Sequence, residues 1–155
     1  MLKNIKIIFF ILLPLILGFI IGTLFNAKGE WYKNLKKPEF IPPSIVFSIV
    51  WPILYIFFGI SMYYGIYYKS LIYWIIPVIH LILNLSFTPV MFGANNLLAA
   101  FIITLFTLIT SLIIIWQFYT TKSNIISIYL LIPYVLWLSF ATYLAYDIYI
   151  LNNVK

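Results

Sequence analysis

Long apolar runs, interrupted by short polar or charged stretches, divide the chain into five segments at residues 5–26, 44–68, 71–92, 95–119 and 125–151. Each comes close to the roughly 20 residues an α-helix needs to cross a hydrocarbon core about 30 Å thick. The runs are too long and uniform for strands of a membrane barrel, whose residues alternate between lipid and lumen. In hydrocarbon every backbone N–H and C=O must be paired within the protein, and a helix achieves this alone. The pattern predicts an all-α integral membrane protein: a five-transmembrane-helix bundle, one domain over residues 1–155, with a long loop between helices 1 and 2.

The connections are unequal. Residues 27–43 form the long loop and carry Lys28, Glu30, Lys33, Lys36, Lys37 and Glu39, whereas "KS" at Lys69, "GAN" at Gly93 and "TKSN" at Thr121 are tight turns. Short turns predict antiparallel consecutive helices packed side by side, which leaves the long loop as the connection free to cover something. The start, "MLKNIKIIFFILLPLILGFIIGTLF", has the basic and apolar regions of a signal peptide. Its apolar run is too long and no small-x-small cleavage site follows, so it is expected to be a retained first span. No internal repeat is visible, which argues against a transporter built from inverted halves.

Composition agrees. The chain is 65% hydrophobic and 8% charged, against about a quarter charged in soluble domains. The net charge of +6 comes from nine lysines, no arginine and three acids. These charges sit between the apolar runs, so their counterpart is anionic lipid headgroups and the bilayer, not nucleic acid. Lys3, Lys6, Lys69 and Lys122 fall on one side and Lys28, Lys33, Lys36, Lys37 and Lys155 on the other, an even split under the positive-inside rule. Cysteine is absent, which excludes disulfides, thiolate ligands and thiol nucleophiles.

Polar residues at mid-span depth must find protein or a cavity. In the third span His80, Asn84 and Thr88 recur at steps of four with Phe87 beside them. The stripe has two readings: interhelical hydrogen bonding, or a polar strip lining a ligand cavity. His80 is the sole histidine, with no cysteine or intramembrane carboxylate near it in sequence. No metal site is expected, and a single axial contact to a haem iron is the most that His80 offers. In the second span Ser44, Phe47, Trp51, Tyr55, Phe58 and Met62 make one aromatic face. Trp51 lies two turns in, roughly 10 Å by the helical rise, as a headgroup-belt anchor or a cavity wall. In the fifth span Pro133, Trp137, Ala141 and Leu144 share a face with Tyr134 nearby. Ala141 leaves room beside the Trp137 indole, either for a flat ligand or for close helix packing. Gly18 and Gly22 in "GFIIG" form a small-xxx-small pattern for close backbone approach, within the chain or in a dimer. Pro14, Pro52, Pro77, Pro89 and Pro133 allow kinks, and Asp147 is expected to reach the interface near the end of the last span.

Taken together, three blocks resemble the TspO/MBR family, the tryptophan-rich sensory proteins related to the mitochondrial translocator protein (peripheral benzodiazepine receptor). "WYKNLKKPEFIPPSIVFSIVWPILY" resembles the family's WY, L-x-KP, PP, VF and W with LY. "LNLSFTPVMFG" from Leu83 is similar to LN-x-x-W-S-x-x-FF-G, and "PYVLWLSFATYLAYDIYILN" from Pro133 to PY-x-x-W-x-x-FA-x-YLN-x-x-I-x-x-LN. The resemblance implies a homodimeric bundle in a bacterial cell membrane with a pocket under the first loop. The implied ligands are tetrapyrroles such as protoporphyrin IX and haem, and in some members sterols or benzodiazepine-type compounds; no cofactor is obligatory. By matching position Tyr32 would belong to the lid, Trp51 and Trp137 would be paired pocket indoles, Asn84 the polar contact and Ala141 the small wall. Phe47, Tyr55, Phe87 and Thr88 would complete the lining. Phe87, Thr88 and Ala145 depart from the tryptophan, serine or glutamine, and asparagine common there. The sterol pattern does not fit the C-terminal end, because Lys155 lies nine residues beyond Tyr146.

The resemblance implies a sensory, porphyrin-trafficking or protective role. Some members promote light-dependent porphyrin degradation, for which Trp51 and Trp137 would be the catalytic residues here. The sequence holds no serine-histidine-carboxylate set, paired carboxylates or phosphate-binding glycine loop for conventional catalysis. The alternatives are a small transporter or channel for a hydrophobic organic solute, with the third-span stripe as its path, and a partner-binding scaffold using "GFIIG".

Overall fold

The computed structural model describes residues 2–27 and 29–153, with side chains from residue 7 onward. The loop and terminal charges assigned to Lys28 and Lys155, and the side chains of Lys3 and Lys6, lie outside the described residues. Helices are α1 (Leu2–Leu24), α2 (Glu30–Asn34), α3 (Ser44–Ile66), α4 (Ile75–Thr88), α5 (Leu97–Thr120) and α6 (Ile125–Asn153). A 3₁₀ turn, Leu71–Trp74, leads into α4, and a π turn, Pro89–Gly93, follows it. Five helical units are long and apolar enough to cross a membrane: Ile7–Leu24, Ser44–Ile66, Leu71–Gly93, Leu97–Thr120 and Ile125–Asn153. The chain is therefore the five-span membrane bundle that its apolar pattern predicts.

The spans close into a ring in the order α1, α3, α6, α5, α4 and back to α1. This corrects one expectation: α4 follows α3 through a short connection, yet its main neighbours are α5 and α1. Direct joining holds α4 to α5 and α5 to α6, whereas α3 is placed by α1 and α6. The ring interior is filled by Leu54, Phe58, Met62 and Ile66 of α3, Ile114 and Phe118 of α5, and Leu131, Tyr134 and Leu138 of α6. Phe9, Phe19, Trp116 and Leu136 point outward, as expected where the surrounding solvent is lipid. At Gly59 a Cβ would strike the backbone of Phe10 and Ile11, so α1 and α3 are in backbone contact there.

The two ends are fastened differently. At one, the Ser61 hydroxyl donates to the Ser127 carbonyl at 2.6 Å, Ser123 to the Gly65 carbonyl at 2.8 Å, and the Gln117 amide to the Tyr73 carbonyl at 2.8 Å. At the other, Asn95 turns the chain with φ 54° and Asn96 caps α5, its side-chain oxygen accepting from the Ala99 N–H at 3.0 Å. Pro89 lacks the N–H that an α-helix needs, and the Ala94 N–H bonds instead to the Pro89 carbonyl at 2.9 Å.

The long loop is docked. Trp31, Tyr32, Leu35 and Ile41 pack on a cluster of Met91, Leu97, Ala100 and Ile148, together with Phe87 and Phe92. Asn152 near the end of α6 accepts from the Lys36 N–H at 3.0 Å and donates to the Lys36 carbonyl at 2.9 Å. Phe40 stacks on Tyr143 at 5.5 Å between ring centres, with the planes 13° apart.

Candidate ligand-binding site

Helical spacing on α3 places Phe47, Trp51 and Tyr55 one turn apart, and Trp51 and Tyr55 meet at 5.7 Å between ring centres. Phe47 reaches Trp137 of α6 edge-on at 5.5 Å. Trp51 and Trp137 both pack against the interior cluster, so the two indoles share the α3–α6 seam. Trp51 is thus part of the margin of the core. Deeper on the same face Phe58 and Met62 are fully inside, while Ser44 at the start of α3 is exposed.

The Tyr55 hydroxyl donates to Asn84 Oδ1 at 2.8 Å, and Asn84 Nδ2 donates to the Tyr134 hydroxyl at 3.1 Å. Asn84 thus ties α4 to α3 and α6. His80 lies one turn earlier, with Nε2 2.8 Å from the Tyr134 hydroxyl and Nδ1 2.9 Å from the Thr110 hydroxyl. Phe58 stacks on its ring at 5.2 Å. With both nitrogens engaged by protein, His80 offers none to a haem iron, and no group of three or more metal-ligating residues occurs among the described residues.

Two buried side-chain polar atoms lack a hydrogen-bond partner among the described residues, the Tyr63 hydroxyl, whose ring packs on Phe10 and Tyr67, and one beside Phe47. The Trp137 indole N–H is buried and has no hydrogen-bond partner. Leaving such a donor unpaired costs about 1–3 kcal/mol, and it sits at the seam where the aromatic side chains converge.

The remaining candidates divide. Tyr32 and Phe87 belong to the loop-facing cluster, Tyr32 meeting Phe92 edge-on at 5.0 Å with Lys37 Nζ 4.6 Å over its ring. Burial raises the Tyr32 phenol above its ordinary value. Thr88 and Ala141 are half-buried, one turn beyond Asn84 and Trp137 respectively. The structure therefore brings Phe47 against Trp137, links Trp51, Tyr55 and Asn84 in a second set of contacts, and sets Tyr32 and Phe87 at the loop.

Comparison with known proteins gives the family. Residues 10–151 match the TspO/MBR family. The tryptophan-rich protein TspO of Bacillus cereus is 32% identical over 153 residues, covering 97% of both chains. The protein of the same name from Archaeoglobus fulgidus is 32% identical over 154 residues, covering 95% of this chain and 97% of its own. This chain belongs to the TspO/MBR family. The bovine translocator protein is more distant, at 27% identity over 155 residues, with 94% of this chain and 89% of its own covered.

Within this TspO/MBR chain, two features exceeded what sequence showed. Thr110 and Tyr134 hold His80 and Asn84; their signal was the run of hydroxyls at Thr104, Thr107, Thr110 and Ser111, all buried in an otherwise apolar α5. "GFIIG" has an asymmetric use: a Cβ at Gly18 would run into the Tyr55 ring, while one at Gly22 would meet nothing within 4 Å. Gly18 thus makes room for the Tyr55 ring within the chain.

Proposed function

We propose that this TspO/MBR protein binds a tetrapyrrole, protoporphyrin IX or haem, at the α3–α6 seam beneath the docked loop. The observation that carries this reading is the unpartnered buried N–H of Trp137 within reach of an aromatic wall made by Phe47, Trp51 and Tyr55. A flat, poorly soluble aromatic macrocycle gains burial and stacking from such walls, and its peripheral acceptors satisfy the indole N–H. Lys33, Lys36 and Lys37 on the loop supply cations for propionates at the rim. Because both His80 nitrogens are already bonded, the ring and its periphery, not an iron, are the recognised features. Family membership supports the same reading, and a homodimer in a bacterial cell membrane with a sensory, trafficking or protective role goes with it. The transporter alternative loses its polar path, since His80 and Asn84 spend their groups on bonds inside the bundle.

The test is titration of detergent-purified protein with protoporphyrin IX in the dark by ligand absorbance, followed by illumination in air. Micromolar binding is expected. Replacing Trp51 and Trp137 together by Phe should weaken it several-fold and abolish any light-driven porphyrin loss, in which the porphyrin itself absorbs the light. Undetectable binding at micromolar ligand overturns the proposal.

A further inference from the structure

Proton accounting favours one direction for the polar chain through the ring interior, by one hydrogen bond. Thr110 has one hydroxyl proton, and the Phe106 and Thr107 carbonyls, 2.9 and 3.0 Å away, are both placed to accept it, so donation there adds a hydrogen bond that donation to His80 would forgo. Only lone pairs then face His80, so Nδ1 must carry the proton and donate to Thr110. A second proton on His80 would place an unpaired charge in the apolar interior, which is far costlier than the neutral ring. Nε2 is therefore an acceptor, and the Tyr134 hydroxyl donates to it. With its proton spent, Tyr134 accepts from Asn84 Nδ2, which leaves Asn84 Oδ1 turned toward Tyr55. A flipped Asn84 would set its oxygen against the Tyr134 oxygen with no proton between them, losing one hydrogen bond.

We propose that Thr110, His80 and Tyr134 are positioning residues that lock the Asn84 amide in one orientation and so make the Asn84–Tyr55 end of the site an acceptor. Resting on the tetrapyrrole reading, this deepens it by giving the site a polarity. The Tyr55 proton is directed inward to Asn84, so lone pairs are what this end presents, whether a ligand meets the Tyr55 oxygen or displaces it from Asn84 Oδ1. The spare donor is at Trp137, one turn of α6 beyond Tyr134. Ligand N–H and O–H groups are taken at the Asn84 end, ligand acceptors at Trp137, and ionised carboxylates are turned away from Asn84.

Two measurements test this. The first is the ¹⁵N NMR spectrum of the His80 imidazole, the only one in the chain; a protonated Nδ1 and bare Nε2 are expected, and the opposite tautomer or an imidazolium overturns the proposal. The second compares a porphyrin bearing one peripheral hydroxyl with its methyl ether and with a carboxylate counterpart. The wild type should prefer the hydroxyl by about tenfold, the worth of one buried hydrogen bond. Thr110→Val removes the acceptor for Nδ1–H and lets the tautomer and the amide reverse, so the preference should vanish or invert, while Thr110→Ser retains it. An unchanged preference in Thr110→Val refutes the relay, and if that variant does not fold, the wild-type tautomer still decides. If no porphyrin binds at all, the proposed function fails, and the imidazole tautomer alone judges the relay.

Discussion

Gly18 offers a sharp test of how α1 supports the site from outside the seam. A Cβ at this position would come 3.0 Å from two carbons of the Tyr55 ring and closer still to a third, so Gly18→Ala must move that ring. Overpacking of this kind costs about 1–3 kcal/mol. The displaced ring also loses its 2.8 Å hydrogen bond to Asn84, worth about 1 kcal/mol. A total of about 2–4 kcal/mol is expected, with several-fold weaker porphyrin binding. Gly22→Ala is the control, because nothing lies within 4 Å of its would-be Cβ, and it should fall within about 0.5 kcal/mol of wild type. The assay is reversible unfolding by SDS titration in mild detergent, followed by tryptophan fluorescence. In a Tyr55→Leu background both the clash and the hydrogen bond are gone, so Gly18→Ala should cost little and the cycle should show a coupling of about 2–4 kcal/mol. A Gly18→Ala penalty that persists unchanged without the Tyr55 ring would refute the assignment.

Other outcomes follow from the two fastened ends. Asn152→Ala removes both bonds to the Lys36 backbone and should cost about 1 kcal/mol locally, seen as faster hydrogen exchange around Lys36 with the spans unaffected. Ser61→Ala breaks the buried α3–α6 bond to Ser127 and should lower unfolding free energy by about 1–2 kcal/mol in the SDS assay. For the loop, burial raises the Tyr32 phenol, so the folded state holds that proton more tightly than the unfolded chain. Its contribution is fully present below the ordinary phenol value near 10 and is lost as pH rises through the higher folded value. Loop exchange rates should therefore climb above about pH 10 in wild type and do so less in Tyr32→Phe.

The membrane class and the five spans were legible because hydrocarbon imposes a length and a composition on each helix separately. Predicted bounds lie within a few residues of those observed, as at 44–68 against Ser44–Ile66. What pairs across the ring was not legible. Nothing local marks Asn152 as the anchor for Lys36, 116 positions away, and the lysine-rich loop reads as a free cover although it contains α2 and is docked. The neighbour order failed at α3 and α4 for a similar reason, since a short connection limits distance without choosing which seam a helix fills. The stripe at His80 and Asn84 was visible as polar residues one turn apart, and its hydrogen-bonding reading is what the structure shows: both side chains are bonded between helices. The departures at Phe87 and Ala145 have a structural setting, Phe87 packing under the loop and Ala145 lying buried in α6.

The division of the candidate residues between two clusters bears on how a flat ligand would be held. Trp51 and Trp137 border the ring interior, with Tyr55 and Phe47 respectively against them, while Tyr32 and Phe87 belong to the loop cluster. α4, α5 and α6 each reach both, and α4 carries Asn84 toward the first and Phe87 toward the second. Immediately beyond, Pro89 breaks the α-helical ladder, and the π turn carries Met91 and Phe92 into the loop cluster. On the tetrapyrrole proposal, a macrocycle that engages Asn84 and the lid together would run past the last turn of α4. Residues that set the π turn then control lid and ligand jointly, even without touching either. Pro89→Ala restores the missing N–H and lets α4 extend, which should shift Phe92 away from Tyr32, speed exchange in the loop and weaken porphyrin binding, while leaving the Tyr55–Asn84–Tyr134 bonds in place. Loss of those bonds, read as a changed His80 imidazole spectrum, with the loop still protected would contradict this coupling.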